Sequence, residues 1–192
     1  MKWYWTLQSD NLVANPFVAD SEFLNGCDEW TFLQGKKLSD WDTNAWFQAE
    51  SPENDGDPDD VLQNAAGIPV YSSRLRKTLQ TATIGGIQYL PVNVLRQERL
   101  SIKGYTIANI LNRVSALDLD RSDYDLFGED MPSKRGQIAG LRLPVLRANA
   151  LRDYHVIRLT EFPFYIFVSD YFRTLFEKHS FTGYSFRPIE VL

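Results

Sequence analysis

The stretch IPVYSSRLRKTLQTATIGGIQYLPVNVL, residues 68–95, aligns without a gap on YIFVSDYFRTLFEKHSFTGYSFRPIEVL, residues 165–192. Ser72 falls on Ser169, Arg76 on Arg173, Gly86 on Gly183, Pro91 on Pro188 and Leu95 on Leu192. Apolar positions pair as well: Val70 with Phe167, Leu75 with Phe172, Leu79 with Phe176, Ile84 with Phe181. This pattern reads as an internal repeat. In each copy a short apolar strand ends at a serine whose hydroxyl can accept from an orphan N–H of a first helical turn. Leu75 and Leu79, like Phe172 and Phe176, are four apart and share one helix face. Gly86 and Gly183 supply the permissive backbone on which the chain leaves the helix. A second strand follows, and its alternation changes phase at Pro91 and at Pro188, which predicts a bulge or an edge position there. The unit is strand–helix–strand, expected with a right-handed crossover.

Around these units the rest of the chain reads as strands. Lys2–Leu7 is a first strand rich in Trp and Tyr, and residues 25–46 read as short strands and turns. A strand is expected through Ile107, Asn109 and Leu111 and on near Val114, with further strands at Tyr124–Phe127, Leu141–Leu146 and Tyr154–Leu159. The polar run Glu129–Gln137 reads as a loop. The expectation is one strand-rich α+β domain over residues 1–192, carrying the repeat units at about 68–95 and 165–192.

Charge is distributed unevenly along the chain. Residues 1–66 hold thirteen carboxylates against Lys2, Lys36 and Lys37, while the remainder carries an excess of bases, and the whole is at −5. Glu50–Asp60, ESPENDGDPDD, has no large apolar residue and is expected to be an exposed loop. Such a field repels nucleic acid and attracts a basic protein partner. Cys27 is the only cysteine, so no disulfide staples the chain. The first residues lack the apolar run of a leader, and no stretch nears the ~20 apolar residues of a membrane helix. A cytoplasmic protein with no membrane partner is the expectation.

Catalytic patterns are weak. His155 and His179 are far apart in sequence, and Cys27 has no neighbouring histidine. No phosphate loop, dinucleotide fingerprint or nucleophile elbow occurs. Asp55-x-Asp57-x-Asp59 echoes the start of a calcium loop, but Pro58 interrupts it, Asp60 replaces the glycine and Ala66 stands where the closing glutamate belongs. Neither a metal nor a cofactor is expected. A carboxylate-dependent hydrolase or transferase stays open as the alternative to a binding protein, as does a scaffold assembling through strand edges.

Several segments resemble the bacterial immunity-protein family numbered eleven of polymorphic toxin systems, formerly a domain of unknown function. They are Phe32–Trp41 (FLQGKKLSDW), Pro69–Leu75, Leu90–Val92, the stretch from Asn109 through Asp118-Leu119-Asp120-Arg121-Ser122, Phe167–Ser169 and Thr182–Ile189. The resemblance implies a non-enzymatic protein that binds and occludes a toxin delivered between bacterial cells. With the acidic first third it points to a basic, nuclease-like toxin. Candidate contacts are Glu50, Glu53, Asp55, Asp57, Asp59 and Asp60, of which the four aspartates could mimic phosphates, with Trp41 and Trp46 as anchors or as core residues. Asp118, Asp120, Arg121 and Ser122 read as a structural turn in which a carboxylate and a guanidinium hold two segments together.

Overall fold

A computed structural model of the chain describes residues 2–8, 18–20, 29–50, 58–64, 67–96 and 100–192. In chain order the described strands are β1 (Trp3–Gln8), β2 (Val18–Asp20), β3 (Trp46–Glu50), β4 (Val61–Asn64), β5 (Val70–Ser72), β6 (Ile87–Pro91), β7 (Asn93–Arg96), β8 (Leu100–Ile102) and β9 (Tyr105–Ile110). They continue with β10 (Arg113–Val114), β11 (Asp123–Leu126), β12 (Ile138–Leu143), β13 (Val145–Leu146), β14 (Val156–Leu159), β15 (Phe167–Ser169) and β16 (Tyr184–Val191). Helix α1 (Ser73–Thr81) follows β5, and α2 (Asp170–Lys178) follows β15. The architecture is α+β, as expected. Between Glu29 and Trp46 the chain forms a 3₁₀ helix, Glu29–Leu33, and turns; the short strands expected there are absent among the described residues.

An eight-stranded sheet runs in the order β6-β9-β5-β4-β2-β3-β7-β8, a six-stranded sheet in the order β10-β14-β15-β1-β16-β13, and β11 with β12 forms a separate ribbon. Strands β5 and β6 both pair antiparallel with β9, one on each side of it. Strands β15 and β16 flank β1 in the same way. Each helix therefore connects two parallel strands with a third inserted between them. The eight-stranded sheet also has to bend. Only Val92 separates β6 from β7, yet they lie near opposite ends of the strand order, so those ends must meet. The sheet curls around Phe47, Leu62, Val70, Leu90, Val92, Val94 and Ile107.

The central strands β9 and β1 are covered on both faces. All six residues of β9 are buried. Tyr105 and Ile107 belong to the core inside the curled sheet, Ala108 and Ile110 to a second core that both helices share. Leu75 and Leu79 of α1 join Phe172 and Phe176 of α2 in this second core, with Tyr4 of β1 and Tyr71 of β5. Trp3 and Trp5 face the other way, into a third core with Leu117, Leu141, Leu146, Ile157, Leu159 and Phe162.

The phase change at Pro188 has a different cause from the one expected. Strand β16 keeps an unbroken register with β1 from Tyr184↔Gln8 to Ile189↔Trp3, without a bulge. Tyr184 and Phe186 lie against the helix-bearing core, whereas Ile189 and Val191 lie against the third core. The strand serves one face with its first half and the other face with its second. At Pro91 the strand ends outright, and Asn93 starts a strand on the far side of the sheet. Gly86 and Gly183 have φ of +77° and +97°. A Cβ at Gly183 would stand 2.2 Å from the Val61 carbonyl oxygen, and one at Gly86 would run into the Asn112 amide.

Both serines cap their helices. The Ser72 Oγ accepts from the Leu75 N–H at 3.1 Å, and the Ser169 Oγ accepts from the Phe172 N–H at 3.3 Å. Each hydroxyl then has one further partner. Ser72 donates to the Asp60 carboxylate at 2.6 Å. Ser169 meets the His155 Nδ1 at 2.8 Å, and since the serine already accepts from Phe172, its proton suits a neutral imidazole.

Asp59 and Asp60 are buried, which corrects the expectation of an exposed loop at these two positions. The reason is hydrogen bonding. The Asp60 carboxylate also accepts from Arg74 and from the Thr182 N–H, and Arg74 reaches on to the His179 carbonyl at the end of α2. One carboxylate therefore ties the start of α1 to the end of α2. The Asp59 carbonyl accepts from the Tyr105 hydroxyl at 2.7 Å. Asp60→Ala is expected to lower the unfolding free energy by about 3 kcal/mol, since it orphans several donors at once. A change under about 0.5 kcal/mol in urea denaturation would show that the clamp is dispensable.

His155 supplies a pH dependence. Burial holds its imidazole below the ordinary 6.5. A depressed folded value means that the unfolded chain binds the proton more readily, so this contribution is complete above that ordinary value and declines as the pH falls from it. The urea midpoint is expected to drop between about pH 7.5 and 5.5, and His155→Asn, which keeps an acceptor near the Nδ1 position, is expected to flatten that slope. An equal slope in the variant would assign it elsewhere.

Candidate functional site

Of the acidic candidates, Glu53, Asp55 and Asp57 lie outside the described residues, and Glu50 is described only as the last residue of β3. Asp59 and Asp60 are engaged inside the fold. The Trp41 ring lies edge-on to Phe32, with centroids 5.8 Å apart, and its Nε1 donates to the Pro91 carbonyl at 2.7 Å. It acts as a lid on the curled sheet's core. Trp46 is half-buried beside the fully buried Phe47 in β3.

The turn at Asp118–Ser122 is built differently from expectation. The Asp118 carboxylate accepts from the backbone N–H groups of Asp120 and Arg121, both at 3.2 Å. The joint to β13 is made by Ser122, whose Oγ accepts from the Val145 N–H at 3.0 Å, and by the Asp118 N–H, which donates to the Val145 carbonyl at 2.9 Å. Arg121 is exposed and forms no ion pair among the described residues. A backbone-satisfying aspartate and a serine do the work foreseen for a guanidinium.

Immediately after this turn lies a feature that sequence reading did not single out. A groove of about 570 Å³ opens between the β11–β12 ribbon, the Glu29–Leu33 helix and the Phe162–Phe164 turn. Its walls include Trp30, Leu119, Leu126, Phe127, Ile138 and Phe164. Trp30 is 49% exposed, Leu119 47%, Leu126 52% and Phe164 45%, so four large apolar side chains meet water at one place. Clustered exposure of this kind marks a binding surface, whereas scattered exposure does not.

Each wall is anchored by a buried neighbour. Phe32 is buried under the curled sheet, which leaves Trp30, two residues earlier, pointing outward. Phe162 is buried in the third core and stands 4.8 Å from Phe164, which in turn meets Trp30 edge-on at 5.8 Å. The ribbon is stiffened on its exposed side by Arg142, which grips the Asp123 carboxylate through Nε and Nη2 and also pairs with Asp125. That contact holds the Asp123 carboxyl below the usual carboxylate range.

Arg158 sets the turn that carries Phe164. It is 1% exposed, and its Nη1 donates to the Pro163 carbonyl at 2.7 Å and to the Phe164 carbonyl at 3.3 Å. No carboxylate pairs with it among the described residues, and its Nε has no acceptor there. Burial pulls its pKa down to about 10, and the Tyr184 hydroxyl close by is pushed up to about 12, also by burial. A buried cation without a counter-ion costs stability. What it secures here is the backbone position of a groove wall.

Signals for these residues existed in the sequence. Phe162-Pro163-Phe164-Tyr165 places three aromatics around a proline, and neither a period of two nor one of 3.6 can bury all of them. Trp30 precedes Phe32 by two in a segment with no strand alternation.

The fold is α+β, and a groove with exposed aromatic walls lies at its margin. The model of the Immunity protein family (Imm11) matches residues 2–191, and the chain belongs to that family. No curated protein matches it. Among the described residues no helix is long and apolar enough to cross a membrane, and no group of three or more His, Cys, Asp or Glu side chains is placed to hold a metal ion.

Arg158→Met is expected to leave the unfolding free energy unchanged or raise it by up to about 4 kcal/mol, since a well-packed apolar chain replaces a desolvated cation. It is also expected to shift the Trp30 indole N–H resonance, because Phe164 loses its support. An unmoved resonance would show that Arg158 does not position the groove.

Proposed function

We propose that this protein is an immunity protein that neutralises a cognate bacterial toxin in the cytoplasm by binding and occluding it, and that the Trp30–Leu126–Phe164 groove anchors the toxin. The groove carries this reading. Membership of an immunity family supplies the kind of partner, and four exposed apolar side chains around one groove supply a surface suited to it. Trp is prominent among residues that dominate interface energies, and a stable interface buries on the order of 1,600 Å², of which such a groove forms the centre. The acidic first third steers a basic toxin over longer range, with Glu50, Glu53, Asp55 and Asp57 as its contributors. Asp59 and Asp60, buried and hydrogen-bonded inside the fold, are not among the proposed contacts.

The test is survival of cells that express the active toxin encoded beside this gene. The wild-type chain is expected to protect. The double variant Trp30→Ala, Leu126→Ser is expected to fold, since both side chains are half exposed. It is expected to bind an active-site-disabled toxin at least ~30-fold more weakly, the size of one interface hot spot. Failure of the wild type to protect would sink the immunity reading; full protection by the double variant would sink the groove as the contact.

A further inference from the structure

We propose that the groove selects a toxin segment in which a large apolar side chain stands next to a carboxylate. This rests on the groove being the toxin contact, and it adds the chemistry of what enters.

Three ionic groups line the groove: Arg113, Lys134 and Glu161. The acid is engaged through one oxygen only, and its Oε2 is buried with no hydrogen-bond partner among the described residues. The Glu161 Oε1 accepts from the Ser115 hydroxyl at 2.6 Å, and the Arg147 Nη2 donates to the Ser115 carbonyl at 2.9 Å, which keeps a cation close behind it. The two bases have no acid. The Arg113 Nη2 donates to a neutral acceptor, the Thr160 carbonyl, at 2.8 Å, and its Nε is buried with no acceptor among the described residues. The Lys134 ammonium lies 5.9 Å from the Trp30 ring centroid and 5.3 Å from that of Phe127. It has no carboxylate within ion-pair distance among the described residues.

The apolar walls and the unpaired charge act on the same occupant. An aromatic or branched side chain entering beside Trp30 and Phe164 strips water from Lys134, which sits on the Trp30 face. A purely apolar segment would leave that ammonium desolvated and unpaired, and a basic segment would add repulsion. A carboxylate on the adjoining residue meets it with opposite charge, and aromatic faces that already hold the cation keep it in place at small entropic cost. Arg113 reinforces the field. The occupant is a polypeptide and not a base: Trp30 and Phe164 meet at 81°, so they offer no parallel slot for stacking, and the apolar surface continues outward through Leu119 and Leu126.

The probes are three capped peptides on one Gly-Ser scaffold, with central Trp-Asp, Trp-Lys or Gly-Asp, titrated into the full chain and followed at the Trp30 indole N–H resonance. The Trp-Asp peptide is expected to bind about fivefold tighter than Trp-Lys at low salt, with the preference collapsing near ~1 M salt, and Gly-Asp is expected not to bind. Lys134→Glu is expected to reverse the preference and Lys134→Gln to abolish it, with melting temperatures kept because the residue is exposed. Equal affinities for Trp-Asp and Trp-Lys, or an Asp preference that survives Lys134→Glu, would overturn the proposal, as would adenosine monophosphate displacing the Trp-Asp peptide with higher affinity. The survival assay separates the two readings. Protection that persists undiminished in Lys134→Glu, together with no peptide preference, removes this inference and leaves the immunity reading standing. A clear Asp preference in a wild-type chain that does not protect supports the groove chemistry and removes the toxin as its source.

Discussion

Everything in the fold depends on two helices sharing one buried cluster. Leu75 and Leu79 of α1 lie with Phe172 and Phe176 of α2 among residues from both large sheets. Neither helix could bury its apolar stripe on its own three-stranded unit and leave its other side to solvent, because helices of nine residues have little intrinsic stability in water. Packed together they cover one face of each sheet, and the strands at the centre, β9 and β1, are then covered on both faces. The Asp60 carboxylate closes the joint by holding the start of one helix and the end of the other. Asp60 and its neighbour Asp59 are, among the described residues, where the strongly acidic first third is drawn into the interior.

The shared core leaves the opposite face of the six-stranded sheet to be covered by other means. Trp3, Trp5, Ile189 and Val191 face that way, and the segment from Leu117 to Phe162 folds over them. That covering layer contains the β11–β12 ribbon and the Phe162–Phe164 turn, and the groove lies where its margin meets the Glu29–Leu33 helix. The groove is thus built from segments far apart in the chain. Three exposed side chains of its walls each adjoin a buried one: Trp30 is two residues from Phe32, Phe164 is beside Phe162, and Leu126 pairs with Ile138.

Arg158 is held beside the groove at a cost in stability. A desolvated cation without a carboxylate is a cost that a purely structural design would avoid. Its hydrogen bonds to two consecutive carbonyls fix a turn whose one exposed ring faces the groove. Charge is handled in the opposite way at Lys134, which is exposed and lies against the Trp30 and Phe127 rings.

How much of this was legible in the chain depends on the range of the interactions. Strand–helix–strand order, the serine caps and the glycine exits at 68–95 and 165–192 are local, because a cap needs only the next turn and a helix face only residues four apart; the sequence determined them. The class of protein was also readable, from motifs spread over nearly the whole chain. The tertiary structure decided the rest. Whether Asp60 faces water or Ser72, Arg74 and Thr182 depends on segments more than a hundred residues apart coming together, and composition pointed the wrong way. The phase change at Pro188 was visible, but its cause, a strand handed from one core to another, exists only once three cores are assembled. The groove was hidden for the same reason: Trp30, Lys134 and Phe164 have no common period, and the burial of their neighbours, which no local pattern encodes, is what turns them outward.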